Sequence, residues 1–276
     1  MADQYEQILR DQNCQHRDHR HMSLTLTAIP GIPMIQAGDD LAAILQQGLQ
    51  AADLHLQDGD VLVLAQKIVS KAEGRWANLA QVKPSEKARE LARRIEKDPR
   101  LVELVLQESR EVLRTRPGTI IVEHQLGFVC ANAGIDHSNV AGEGNPQEEW
   151  VLLLPSDPDG SAQRLRERLE QSSGCRLGVL IIDSHGRAWR QGVVGTAIGL
   201  AGMPGLVDLR GQPDLFGYTL RITQIGAADE LAAAASLVMG QAAEATPVVH
   251  VRGFPYPLRE GSLSEILRPK EQDLFR

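Results

Sequence analysis

The sequence predicts a mixed α+β (α/β) fold. Short apolar runs of strand character are separated by segments of helical period, and no apolar run approaches the ~18–20 residues that span a bilayer. The chain has 276 residues, 42% hydrophobic and 24% charged, a globular balance with length enough for a sizeable core.

In chain order, "DQNCQHRDHRH" in residues 1–21 is polar and lacks apolar period. Cys14, His16, His19 and His21 there are possible metal ligands, but without C-x-x-C or HExxH spacing a solvated tail is the favoured reading. The expected division is a disordered tail over 1–21 and one domain over 22–276. "SLTLTAIPGIPMI" alternates like a strand. "DDLAAILQQGLQ" (39–50) places Leu41, Ile44, Leu45 and Leu49 at helical spacing behind two acids. "DVLVLAQKIVS" (60–70) reads as a buried strand. "PSEKARELARRIEKD" reads as a helix with Pro84 at its start, and "LVELVLQESREVL" as a second helix. "GTIIVEHQLGFVCANAG" predicts a hairpin through Gly127. "EWVLLLP" (149–155) is a strand, and "GSAQRLRERLEQSSG" a helix closed by Gly174. "LGVLIIDS" is a strand, "GVVGTAIGLAG" an apolar Gly-rich segment, "AADELAAAASLVMG" a small-residue helix and "TPVVHVRG" a last strand. No internal repeat or low-complexity linker divides the chain.

Several function classes drop out. With 29 Lys and Arg against 36 Asp and Glu, the net charge is −7. That balance, with no basic run, argues against nucleic-acid binding. Aromatics at 4% are too few for stacking platforms. No membrane segment and no signal peptide are expected, and the isolated Cys14, Cys130 and Cys175 suit a reducing compartment, so a cytoplasmic protein is expected. P-loop, GxGxxG, GxSxG and kinase motifs are absent. Ser184 and His185 suggest a nucleophile and base, but neighbours on a strand face opposite ways.

Hard-cation and phosphate chemistry fits better. "VLIIDSHG" stops an apolar run abruptly at Asp183, and "VCANAGIDHSNV" places Asp136 just beyond another run. Carboxylates outside the carboxyl ends of strands can hold one hard divalent ion between them, or each can cap its own turn. Lys67 and Lys71 in "QKIVSKAEG" can meet a phosphate or lie in solvent. Pro30 and Pro33 make "IPGIPMI" rigid, as a pocket wall or an edge-strand device. "SDPDGS" reads as a turn and helix cap, since a Ca²⁺ loop would need Glu at its twelfth position.

Together these stretches resemble the coenzyme F420-0:γ-glutamyl ligase family. The matching blocks are "IPGIPMI", "GDVLVLAQKIVSKAEGR", "VCANAGIDHSNV", "LLLPSDPDGSA", "GVLIIDSHGRAWRQGVVGTAIGLAG", "DLFGYTL" and "ADELAAAASLVMGQAAEATPVVHVRG", covering nearly all of residues 24–253. The resemblance implies mixed sheets flanked by helices in two intertwined subdomains, and a homodimer. It implies a GTP-dependent ligase using Mg²⁺ or Mn²⁺, two divalent ions in all, helped by K⁺. Such a ligase adds L-glutamate to the phospholactate-bearing deazaflavin coenzyme F420-0, then γ-linked glutamate to the product. It assigns Asp136 and Asp183 to one ion, and Ser184 with Gln241 to a second. It assigns Ile32, Pro33, Met34, Ile35, Gln66, Lys67, Lys71, Asn139, Met239, Gly240, Gln241, Ala242, Ala243, Glu244, Ala245 and Thr246 to GTP. Gln66 and Lys67 depart from a small hydroxyl pair common there. Rival readings are a ligase for another acceptor such as a folate-like pterin, a metal-dependent phosphohydrolase, and a non-catalytic binding module.

Overall fold

The computed structural model describes residues 23–140 and 149–274; the tail expected over 1–21 lies outside them. In chain order, β1 (Thr25–Ala28) precedes α1 (Leu41–Ala51), β2 (Val61–Ala65) and α2 (Gln66–Ala72). Then come β3 (Trp76–Asn78), α3 (Glu86–Ile95), α4 (Pro99–Gln107), β4 (Ser109–Arg116), β5 (Thr119–His124) and β6 (Val129–Ala131). After these run β7 (Trp150–Leu152), α5 (Pro158–Ser173), β8 (Gly178–Gly186), β9 (Val193–Ala201), β10 (Val207–Asp208), β11 (Gln224–Ile225), α6 (Ala227–Met239) and β12 (Val248–Arg252). Among the described residues no helix is long and apolar enough to cross a membrane.

The main sheet runs β1-β12-β2-β8-β9. Only β2 and β8 pair in parallel. Both are apolar runs because helices cover both faces. Leu62, Leu64, Val179 and Ile181 pack with residues of α1 and α5 in one cluster. Val61, Val63, Leu180 and Ile182, their alternates, pack against α6 in another. A third cluster joins α3, α4, β5 and the start of the Asp136 loop.

The glycines of β9 are close-packing positions. A Cβ at Gly195 would lie 2.4 Å from the Ala232 carbonyl oxygen of α6, and one at Gly199 would lie 2.3 Å from Cβ of Pro158 in α5. A register slip of the β8–β9 pair between Ile181 and Ile182 turns β9, so residues four apart meet helices on opposite faces.

Four expectations are corrected. The strand read over 60–70 ends at Ala65, and Gln66–Ala72 is helical. No side chain caps this short helix, and Ile68 and Val69 resume apolar character after Gln66 and Lys67, so the sequence carries no start signal. The second helix stops at Gln107 and the chain becomes β4. Pro84 lies outside α3, which Ser85 caps through the Ala88 N–H; Pro99 instead opens α4. The strand character of 23–35 is confined to Thr25–Ala28. "SDPDGS" is indeed a cap: Asp157 accepts from the Gly160 N–H, and Gly174 closes α5 in the left-handed conformation.

Candidate active site

A cavity of about 620 Å³ opens where the carboxyl ends of β2 and β8 lie side by side. That is where ligands collect on parallel strands, and the volume suits a nucleotide-sized molecule. One wall is the rigid turn after β1, with Ile32, Pro33, Met34 and Ile35. A second is α2, with Gln66, Lys67 and Lys71. The third is the loop after α6, from Met239 through Gly240, Gln241, Ala242, Ala243, Glu244 and Ala245 to Thr246. Asn139 joins the last two walls. Its side-chain amide donates to the Ala242 carbonyl at 3.2 Å, and its own carbonyl accepts from Lys71 Nζ at 2.9 Å. It does so from a left-handed backbone (φ 57°) that asparagine tolerates. Every residue assigned to the nucleotide by resemblance therefore lines this cavity.

Asp136 stands at the edge, just outside the lining. Its backbone exchanges two hydrogen bonds with Leu152 of β7, which fixes the loop. Its Oδ2 accepts from Gln66 Nε2 at 2.7 Å and pairs with Lys67 Nζ at 2.8 Å. Gln66 is buried and oriented by Ser70, whose hydroxyl donates to Gln66 Oε1 at 2.8 Å. Burial raises the Asp136 carboxyl above its ordinary pKa; Lys67 opposes the shift and Asp183 adds to it.

Asp183 and Ser184 leave β8 on opposite faces. Asp183 shares a face with His185, whose Nε2 lies 3.0 Å from Asp183 Oδ2. Burial pushes the Asp183 carboxyl up, but the His185 contact, the Ser184 N–H and the charge of Lys67 outweigh it, and the pKa falls below the usual value. Ser184 faces α6, where its hydroxyl donates to Gln241 Oε1 at 2.8 Å; Gln241 Nε2 in turn donates to Ser236. The Glu244 carboxylate accepts from the Ala242 N–H at 2.7 Å. That backbone contact holds its pKa low, helped by the N–H groups of Glu244 and Gln241.

The donors are hard oxygens, two carboxylates on one side of β8 and a hydroxyl with an amide oxygen on the other, which suits Mg²⁺ or Mn²⁺. The Ser184 and Gln241 oxygens, 2.8 Å apart, match one edge of an octahedron with ~2.1 Å bonds, about 3 Å long. Lys71 is buried and lies 5.7 Å from the Trp76 ring centroid. Burial lowers its pKa, with Lys67 second. A cation held this way meets an anion with little loss to solvent.

Sequence reasoning missed two contacts here. His185 beside Asp183 was available from period-two alternation. The Ser236–Gln241 bond crosses a helix end and carries no local signal. Behind His185, Phe128 stacks on buried His124 with centroids 5.2 Å apart and an interplanar angle of 5°. His124 Nδ1 accepts from the Leu126 N–H, so a neutral ring carries its proton on Nε2, which is buried without a hydrogen-bond partner. Burial pushes the His124 pKa down to about 4, with the nearby charges of His185 and Arg75 adding to the shift.

The family model described as F420-0:Gamma-glutamyl ligase matches residues 31–253. The chain is 46% identical over 257 residues to the coenzyme F420:L-glutamate ligase of Methanothermobacter thermautotrophicus, covering 92% of this chain and 100% of that protein. It is 44% identical over 255 residues to the protein of the same name from Archaeoglobus fulgidus, covering 92% of this chain and 97% of that one. For the one from Methanopyrus kandleri the identity is 45% over 258 residues, covering 92% and 98%.

Proposed function

Because the chain belongs to the F420-0:γ-glutamyl ligase family, we propose that it joins L-glutamate to coenzyme F420-0 at the cost of GTP, then adds γ-linked glutamate to the product. The reading rests on one arrangement. Two carboxylates and two lysines converge beside a nucleotide-sized cavity, and Ser184 and His185, facing opposite sides of β8, do not form a nucleophile–base pair.

The proposed reaction has two steps. A substrate carboxylate attacks the γ-phosphorus of GTP and the bond to GDP breaks, giving an acyl phosphate. The glutamate amine then attacks the acyl carbon, phosphate leaves, and the amine gives up one proton to water. Asp136 and Asp183 would hold a divalent ion on one side of β8, with Ser184 and Gln241 holding a second on the other. Such ions neutralise the charge of the transferring phosphoryl group. Lys71, anchored at Asn139, points its charge at the phosphate region. The turn Ile32–Ile35 forms another wall of the cavity. K⁺ as a helper ion belongs to the same proposal, as does a cytoplasmic setting. A homodimer does also; Leu215, Phe216 and Ile222, exposed on the arm between β10 and β11, supply an apolar surface for a second copy.

The test is GDP release with F420-0 and Mn²⁺, with and without L-glutamate. Release that requires glutamate is expected. Equal release without it would make the chain a phosphohydrolase, and release with a folate-like pterin alone would reassign the acceptor.

A further inference from the structure

The Asp136–Asp183 site already holds a positive charge of its own, on Lys67, while His185 Nε2 lies 3.0 Å from Asp183 Oδ2. Asp136 Oδ2 takes two partners from α2 at once, Gln66 Nε2 at 2.7 Å and Lys67 Nζ at 2.8 Å. The same ammonium acts on Asp183. Two acids held together without a cation would repel, so a buried pair of this kind needs a positive charge beside it. A divalent ion binding that oxygen would stand a few ångströms from the ammonium, and like charges at that range repel in a partly buried setting.

The two lysines of α2 are held differently. Lys71 is fixed by the Asn139 carbonyl and by Trp76, groups that a cation would not disturb. Lys67 is held by the carboxylate that a cation would claim. Its side chain is 28% exposed, lines the cavity, and ends a flexible four-carbon stem.

We propose that Lys67 is the resident counter-ion of the Asp136–Asp183 pair, displaced by the incoming divalent cation and turned thereby into the cavity as a phosphate contact. The inference rests on the cation reading above and adds to it a coupling. A cation that frees Lys67 improves the nucleotide site, and by reciprocity the nucleotide improves the cation site. Loading of the two becomes mutually dependent, and GTP without metal meets a site whose second lysine is engaged elsewhere.

The test is Mn²⁺ binding to the purified full chain, read by electron paramagnetic resonance of the free ion, alone and with saturating GDP. Lys67→Met and Lys67→Gln remove the charge; Lys67→Arg keeps it; thermal melting checks the fold of each. For the parent, GDP is expected to tighten Mn²⁺ binding about tenfold or more, equivalent to ~1.4 kcal/mol. Removing the charge is expected to tighten Mn²⁺ alone by about tenfold and to shrink the further gain from GDP to less than about threefold. Lys67→Arg is expected to follow the parent. Mn²⁺ binding to Lys67→Met and Lys67→Gln no tighter than to the parent overturns the counter-ion role. If Asp136→Asn and Asp183→Asn leave Mn²⁺ binding untouched, the cation site itself fails, a distinct result that removes both readings.

Discussion

Burial acts on Asp136 and Asp183 alike, yet their carboxyls shift in opposite directions. Asp183 has His185 and the Ser184 N–H at its oxygens, while Asp136 sits nearer the cost of desolvation despite Lys67 and Gln66. Asp136→Asn and Asp183→Asn keep shape and remove charge, so each is expected to abolish ligation and to lose the Mn²⁺ ion shared by the two acids while leaving the melting temperature near that of the parent. Turnover close to normal at low Mn²⁺ in either variant would contradict the shared ion. Lys71→Ala is expected to weaken GTP binding by roughly 1.5–3 kcal/mol, the usual worth of a charge-assisted hydrogen bond, and to leave F420-0 binding nearly unchanged. Calorimetry with equal GTP affinities would return Lys71 to a structural role between Asn139 and Trp76. At this scale the sequence was informative where a residue breaks a local pattern: Asp183 ends an apolar run, and Pro30 with Pro33 stiffens a turn. It was silent where partners come from afar. Whether Lys67 meets a phosphate or a carboxylate depends on Asp136, brought from beyond four intervening strands.

The elements divide in the same way. β2 and β8 were legible because strands buried on both faces must be continuously apolar. α5 was legible because Asp157 and Gly174 punctuate both its ends. α2 was not, since Ala65 offers no cap and apolar Ile68 and Val69 follow just beyond Gln66 and Lys67. The boundary between α4 and β4 was hidden because only Glu108 separates them, with neither Gly nor Pro. β5 and its turn carry a pH dependence. His124 titrates near its usual ~6.5 when unfolded and at about 4 when folded, so the unfolded chain binds more protons between those values. Stability from this group is complete above pH ~6.5 and falls as the pH drops toward 4, by roughly 3 kcal/mol in total at ~1.4 kcal/mol per unit. His124→Asn keeps an acceptor for the Leu126 N–H and does not titrate. Urea unfolding at pH 7.5 and pH 5 is expected to show a smaller loss in the variant than in the parent. Equal losses would mean that the folded ring takes up its proton freely.

At the scale of the whole molecule, a five-stranded sheet covered by α1 and α5 on one side and α6 on the other presents its parallel pair's carboxyl ends to one cavity. The alternation of β8 then gives each face its own oxygen donors. The mixed fold class was legible from the succession of periods; the sheet order was not, because β12 inserts between β1 and β2 from the far end of the described chain. The polar residues 1–21 lie before the family match, which begins at residue 31. A chain starting at Met22 is expected to retain its ligation rate and melting temperature, since a period-free polar segment buries too little to add stability. A large loss of either would place that segment in the fold or the site. The most direct measurement of the proposed chemistry is mass spectrometry of the products formed from F420-0, L-glutamate, GTP and Mn²⁺. The expected result is F420-0 carrying one and then further glutamyl residues, with one GDP and one phosphate released per residue added. Unmodified F420-0 in the presence of GDP and phosphate would contradict it.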